Sequence, residues 1–242
     1  MELWQAAGFA EGQHILDLGA GPGFATADLA RLVGAEGHID AIDSSERFLA
    51  ALQNNCSREQ LRHVTTHLCD VHQLSLDDGS VDGAFVRWLL CFVANPARVI
   101  AEVHRVLRPG MPFVVQEYFN YRAMQMFPPQ DSFSAVLDAY YQSAIVNGGS
   151  YDIGGELPML LESGGFRVDV LKPICRIARP GSPRWRWFTM FSENYVPRLV
   201  EQGLLTEEMQ RRFEADLEAA GRDQSAFFFT PPMIGIVAFR ER

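Results

Sequence analysis

The chain reads as an α/β fold built on a mainly parallel sheet, and three observations point there. A short apolar stretch, His14 to Leu18, runs into a glycine-rich turn (Gly19-Ala20-Gly21-Pro22-Gly23) and then into a helical pattern that Gly34 stops. Further on, apolar runs of strand length alternate with helical segments, the rhythm of βαβ units. One of those helices is amphipathic throughout. Asn95-Pro96 opens it, Val99, Ile100, Val103, Val106 and Leu107 recur at helical spacing, and Arg108-Pro109-Gly110 closes it.

The elements follow in order. Residues 2–11 read as a short helix or lead-in, with Leu3, Trp4 and Ala7 on one face. His14–Leu18 is the first strand, and the helix after its turn should place Phe24, Leu29, Leu32 and Val33 on one side. Ile39, Ala41 and Ile42 form a second strand ending at Asp43, with Ser44 or Ser45 capping the helix that carries Phe48, Leu49 and Leu52. His63–Leu68 is a third strand, with Asp70 just beyond it. Asp77-Asp78-Gly79 is a turn, and Val81–Val86 is a fourth strand that stops at Arg87 and Trp88. A fifth runs from Met111 to Gln116. The rhythm then breaks: residues 119–153 are rich in aromatics and methionine, with helical spacing around Phe133, Val136, Leu137 and Tyr140. A regular unit resumes at Leu157–Leu161, closed by Gly164-Gly165, and a sixth strand spans Phe166–Ile177. Residues 181–221 form a second excursion of two helices, the later one capped by Thr206 with Met209, Phe213 and Leu217 in a stripe. Met233–Phe239 is the last strand.

Composition narrows the function classes. A chain of 242 residues accommodates one large α/β domain with insertions, and 48% hydrophobic against 21% charged residues is ordinary globular composition. The net charge of −9 argues against nucleic acid as a partner, since binders of a phosphate backbone show a basic face. Arg176, Arg179, Arg184 and Arg186 cluster in sequence but are interleaved with prolines and tryptophans, and read mainly as solvated loop and helix positions, with substrate contact as the lesser alternative. Cys56, Cys69, Cys91 and Cys175 are widely spaced without a C-x-x-C pair, so no disulfide or metal site is expected and a reducing, cytoplasmic setting is. Neither a leader nor an apolar run of about 18 residues is seen, so no signal peptide, membrane span or membrane partner is expected. The first strand begins almost at once, so any N-terminal lid is short or missing from this chain.

The glycine turn is where a ligand is expected. Gly19 and Gly21 can take backbone angles closed to other residues and leave room where a Cβ would block approach. The helix behind them directs its amide ends and positive dipole at whatever sits over the turn. An ordinary glycine-rich βα turn would look the same in isolation. A dinucleotide site would want a third glycine at position 24, where this chain has Phe24, and an apolar first strand, where it has Asp17. An acid between Leu16 and Leu18 also needs a partner.

Asp17-Leu18-Gly19-Ala20-Gly21-Pro22-Gly23 resembles motif I of the class I S-adenosylmethionine-dependent methyltransferases, and the likeness extends through Asp43, Asp70-Val71 and Arg108-Pro109-Gly110. It covers residues 10–118 well. Beyond them the chain is similar only in rhythm, to the broad group that includes quinone and secondary-metabolite methyltransferases. The resemblance implies a Rossmann-like sheet of seven strands, mainly parallel with an antiparallel last strand and helices on both faces. It implies S-adenosylmethionine as cofactor and S-adenosylhomocysteine as product. The roles it carries are these: Asp17 serves the ammonium, the amides near Gly19, Ala20 and Gly21 take the methionine moiety, and Asp43, beside Ser44, accepts from both ribose hydroxyls. Asp70 takes the adenine amino group with the Val71 amide donating to the ring, and the Arg87 carbonyl is a second partner for the ammonium.

On that topology the excursions 119–153 and 181–221 start and finish over the catalytic face, as cap insertions on a single domain whose core is about 10–118, 155–178 and 225–242. Their aromatics suit a flat or apolar small molecule, or simply glue the added helices together. Methyl transfer from a sulfonium needs positioning and water exclusion more than acid–base chemistry. Glu117 or Tyr118 is expected to orient or deprotonate the acceptor, with Trp88, Tyr121 and Arg122 in the substrate pocket, Arg87 and Arg122 being possible anion clamps. His14, His38, His63 and His67 belong to strands or their entries and read as structural. Arg87-Trp88-Leu89 is not the Asn/Asp-Pro-Pro-aromatic pattern of amino-group methyltransferases, and Cys91 lacks the preceding proline of cytosine-C5 enzymes. The expectation is methyl transfer to a small aromatic or heterocyclic metabolite, with a nicotinamide oxidoreductase or a non-catalytic cofactor-binding protein as alternatives. Acceptor atom and oligomeric state stay open.

Overall fold

The computed structural model describes residues 2–242. In chain order the elements are α1 (Glu2–Ala6), β1 (His14–Leu18), α2 (Phe24–Val33), β2 (His38–Asp43), α3 (Glu46–Glu59), β3 (Val64–Leu68), β4 (Gly83–Arg87), α4 (Pro96–Val106) and β5 (Pro112–Tyr118). Then come β6 (Gln125–Phe127), α5 (Asp131–Val146), α6 (Leu157–Ser163), β7 (Phe166–Ile174), β8 (Ile177–Ala178), α7 (Pro183–Glu201), α8 (Glu207–Arg222), β9 (Phe227–Phe229) and β10 (Met233–Arg240). They fall into two compact units. The first holds the chain through Glu117, Gly155–Lys172 and Ile234–Arg242; the second holds Tyr118–Gly154 and Pro173–Met233.

The first unit is built on a seven-stranded sheet of order β3-β2-β1-β4-β5-β10-β7. β1 pairs in parallel with β2 and β4, β2 with β3, and β4 with β5. β10 runs the other way: the amide of Gly110, just before β5, donates to Arg240 at the far end of β10, and Arg240 donates back to Met111. The register assigns the faces. Asp17 pairs with Ala41, and Ala41 with Thr66, so the three share a side. That side meets α2 through Thr26 and α3 through Gln53. Phe113 lies on the other side, against Phe166, which meets His104 of α4 edge-on. α6 packs on α4 there, where a Cβ at Gly164 would stand 2.6 Å from Ile100.

The local rules hold through this unit. Ser45 caps α3 by accepting from the Phe48 amide, Asn95 caps α4 by accepting from that of Arg98, and Val99, Ile100, Val103, Val106 and Leu107 are all buried. Four expectations need correcting. Phe24 opens α2 but is 72% exposed; the buried side is Ala25, Thr26, Leu29, Ala30 and Val33, because the glycine turn fixes the helix phase. Phe48 is likewise exposed while Leu49 and Leu52 are buried. The fourth strand starts at Gly83, Val81 making only an isolated bridge to Leu107. The sixth strand stops at Ile174, and Ile177–Ala178 pairs elsewhere.

The second unit has its own small antiparallel sheet, β6-β9-β8, around the run Phe227–Phe229, and three packed helices, α5, α7 and α8. Thr206 caps α8, with Phe213 buried beneath it. Arg176, Arg179, Arg184 and Arg186 are exposed, as the sequence implies. No described helix is long and apolar enough to cross a membrane.

Candidate functional site

The parallel strands β1, β2, β3, β4 and β5 all end at one edge of the sheet. That edge gathers most of the residues the sequence singles out. The turn after β1 holds Gly19, Gly21 and Gly23 at φ of +64°, +56° and +89°, the left-handed region that favours glycine. Their surroundings differ. A Cβ on Gly19 would crowd Leu89 at 3.0 Å and one on Gly23 would strike Leu52 at 2.6 Å, whereas one on Gly21 would meet nothing within 4 Å. The turn is therefore packed from behind and open above Gly21.

Asp43 closes β2 and is joined to that turn. Its Oδ2 accepts from the Gly21 amide at 2.9 Å and its Oδ1 from the Ser45 amide at 2.9 Å, while the Ala20 amide donates to Ile42 O at 2.9 Å. Ser44 between them is exposed. Each Asp43 oxygen keeps acceptor capacity beyond its one backbone donor.

Asp17 lies inside the sheet, 2% exposed, accepting from the Thr26 hydroxyl at 2.7 Å. Burial raises its pKa to about 6, against the Thr26 hydrogen bond and the Arg87 charge, which pull it down. A carboxyl desolvated this fully with one hydroxyl donor is suited to a cationic ligand group. Asp70, in the turn after β3, is exposed; it takes the backbone amide and ring nitrogen of His72, bonds that lower its pKa. Val71 beside it is buried.

β4 ends under strain. Trp88 sits at φ +56°, a region bulky residues avoid, with its ring 5.2 Å from the Arg87 guanidinium. The turn that follows is tied from β5: Glu117, wholly buried, accepts from the amides of Leu89 at 3.0 Å and Cys91 at 3.3 Å. What the structure gives Glu117 is thus a grip on the backbone of this turn, where the sequence suggests a group facing the acceptor. Burial and the Glu117 charge push the Cys91 thiol well above its usual range, so it is no nucleophile.

The remaining candidates belong to the second unit. Tyr118 is 6% exposed and meets Tyr121 edge-on at 4.9 Å; Tyr121 stacks on Tyr151 at 4.5 Å. Asp152 receives the Tyr121 amide at 3.1 Å and the Tyr141 hydroxyl. Arg122 lies over the Tyr141 ring at 4.2 Å and is paired with Asp138, so it is engaged within its unit. Most aromatics of the two excursions are buried in one another, Phe188 against Phe133 and Phe228 for example. Gluing the added helices is what the structure gives them.

One cluster went unread in the sequence. His14, His38 and Asp40 bring metal-ligating atoms within 4.8 Å of one another, although no sequence spacing announces them. Only the pairing of β1 with β2 does.

Comparison with known proteins adds the following. Residues 16–115 match the family described as "Methyltransferase domain". An uncharacterized 37.1 kDa protein in transposon TN4556 of Streptomyces fradiae is 35% identical over 168 residues, 69% of this chain and 47% of its own length. A demethylmenaquinone methyltransferase of Symbiobacterium thermophilum is 31% identical over 110 residues, 45% of this chain and 44% of its own. An arsenite methyltransferase of Halobacterium salinarum is 30% identical over 104 residues, 43% and 27% of the two chains. The chain spans about half or less of the length of these curated relatives. Among solved structures, a protein of Bacillus halodurans C-125 superposes with a TM-score of 0.69 at 17% identity, covering 100% of this chain and 98% of its own. A SAM-dependent methyltransferase from Aquifex aeolicus gives 0.55 at 16%, covering 97% and 87%. At such identities these two speak for the fold.

Proposed function

We propose that this protein, whose residues 16–115 match a methyltransferase domain, moves a methyl group from S-adenosylmethionine to a small aromatic or heterocyclic acceptor. One observation carries the reading: a buried acid, an open glycine turn and a second acid hydrogen-bonded to that turn share one sheet edge. The residues fit the cofactor. Asp17, held near a pKa of 6 by burial, gains its charge when a cation approaches, and the ammonium of the methionine moiety is such a cation. The Gly19–Gly21 segment would take the methionine backbone, Asp43 with Ser44 beside it the ribose hydroxyls, Asp70 and the Val71 amide the adenine, and the Arg87 carbonyl the ammonium.

When bound, the cofactor supplies a methyl already activated by its sulfonium. The chain's own task is then to position and to keep water out. Glu117 contributes as a positioning residue, fixing the turn of Trp88 to Cys91 beside the Arg87 carbonyl. Tyr118, at the end of β5, is the group proposed to orient the acceptor, and Trp88, just past the end of β4, is proposed for the acceptor pocket. Tyr121 and Arg122 act one step back, by holding the tyrosine cluster around Tyr118.

The aromatic acceptor is favoured over an arsenic one by the thiols. A soft trivalent arsenic would call for thiolates gathered in one place. Here Cys56 is on α3, Cys69 follows β3, Cys91 is buried after β4 and Cys175 lies between β7 and β8, and the described residues form no cysteine cluster. The test is a screen with methyl-labelled cofactor against hydroxylated aromatics, quinols and arsenite, with the labelled atom then located. Label on an aromatic acceptor is expected, and Asp43→Ala should weaken S-adenosylhomocysteine binding about tenfold or more, for a loss of roughly 1.5–3 kcal/mol. Label on arsenite alone would refute the acceptor class; an unchanged affinity in Asp43→Ala would refute the site. Glu117→Gln should lower turnover without moving its pH profile, and a shifted profile would restore it as a base.

A further inference from the structure

On the sheet face opposite Asp17, three histidines surround one acid. His14 opens β1 and His38 opens β2, and the parallel register sets them side by side. Paired residues of parallel neighbours face the same side, and so does Asp40, two residues past His38. Thr65 of β3 pairs with Asp40, which brings His67 to that side too. This is the face turned away from α2 and α3. The connection that follows, residues 69–82, contains no helix.

The geometry is close. His14 Nε2 is 2.6 Å from Asp40 Oδ2, His67 Nε2 is 2.7 Å from Oδ1, and His38 Nε2 is 3.5 Å from Oδ1. The His14 and His38 rings meet edge to face at 5.0 Å. Asp40 keeps only 7% of its side chain exposed, while His14 and His38 keep 29% and 38%, so their nitrogens are reached from water. Burial works against the Asp40 charge, but hydrogen bonds from His14 and His67 outweigh it and hold the carboxyl at about 2. Three imidazoles on a single carboxylate exceed what its neutralisation requires.

We propose that His14, His38 and Asp40 bind one divalent transition-metal ion of the zinc type, with His67 as the positioning residue that holds the Asp40 carboxylate. Imidazole nitrogen and carboxylate oxygen are the donor set such ions take, at bonds of about 2.0–2.2 Å. Separations of 2.6 and 3.5 Å from Asp40 bracket the roughly 3.3 Å between donors around a tetrahedral ion with such bonds, and all three ligand atoms lie within 4.8 Å of one another. Water fills the remaining positions. Each ligating imidazole offers an Nε2 lone pair to the ion and carries its hydrogen on Nδ1. Because the ligands come from β1 and β2, the ion is a clip between neighbouring strands, on the sheet face opposite Asp17 and independent of the function proposed for that site.

The experiment uses the whole chain without an affinity tag, stripped of metal, titrated with zinc by calorimetry and with cobalt(II) by visible absorption. One equivalent is expected to bind, with a raised thermal midpoint that a chelator reverses. His38→Ala removes the most exposed ligand and should weaken zinc at least about tenfold, and His67→Asn should weaken it about 10–100-fold. His72→Ala and His104→Ala should leave the zinc affinity unchanged. Absence of a stoichiometric site, or affinity that survives His38→Ala or falls with His72→Ala, would overturn the proposal. Should the His38 variant not fold, X-ray absorption on the zinc-loaded wild-type chain counts the imidazoles: two are expected, and one or none sinks the assignment.

Discussion

The sheet unit is packed with aliphatic side chains and the second unit with aromatic ones. Ile15, Leu16, Leu18, Ile39, Ile42, Val86, Val114 and Val115 have no exposed surface in the first, while Phe133, Tyr140, Trp185, Phe188 and Phe228 form the interior of the second. The difference is one of how order is imposed. In the parallel sheet, backbone pairing fixes positions and branched side chains fill the layers, so the strand ends are free to carry acids and glycines. In the second unit, few strands are long enough to impose a lattice. Ring edges meeting ring faces do that work, as between Tyr118 and Tyr121 or Tyr118 and Tyr151.

The contrast can be broken where each unit depends most on it. Phe188→Ala removes a ring that touches Phe133 at 5.8 Å and Phe228 at 4.7 Å, and should cost about 3–5 kcal/mol in urea unfolding. A loss below about 1 kcal/mol would mean the aromatics of that unit are not its core. The sheet unit makes the opposite bet, placing an ionisable group where an aliphatic one would be more stable. The Asp17 carboxyl binds its proton more tightly folded, at about 6, than unfolded, at 3.8, so its contribution is intact below pH 3.8 and is lost as the pH rises through 6. Asp17→Asn should therefore stabilise the ligand-free protein above pH 6 by about 2–3 kcal/mol and leave it unchanged below pH 4. The same substitution should abolish the rise in S-adenosylhomocysteine affinity expected for the native chain between pH 5 and 7. Equal stability of both proteins at pH 7 would show that the site carries no such penalty. The smallest effect belongs to a local device that either unit could use: Asn95→Ala should lower the thermal midpoint by the equivalent of about 1 kcal/mol, through loss of the bond to the Arg98 amide.

The same contrast explains what was legible. Strands β1 to β5, their caps and the clustering of Asp17, Gly21, Asp43, Asp70 and Arg87 at one edge follow from period, turn chemistry and the topology of βαβ units. The second unit resisted that reading. Phe227–Phe229 carries no alternation to mark it as a strand, and the break at Cys175-Arg176 that sends Ile177–Ala178 to another sheet is preceded only by Pro173, which lies within β7 itself. Glu117 looked available because it ends an apolar strand, yet the amides that occupy it come from a different strand's turn. The three histidines on Asp40 were invisible for a like reason. Their neighbourhood exists only once the register does.

Gly23 deserves a last consequence, for its missing side chain is where Leu52 of α3 lodges. In this chain the residue that must be bare for helix and turn to close up is the last of the motif's glycines, which leaves Phe24 free to be large and to face water. Any methyl group added at position 23 would lever α3 outward, and the Asp43–Ser45 corner that leads into α3 would travel with it. The set of the Asp43 carboxylate beneath the glycine turn is therefore hostage to a packing contact several residues away.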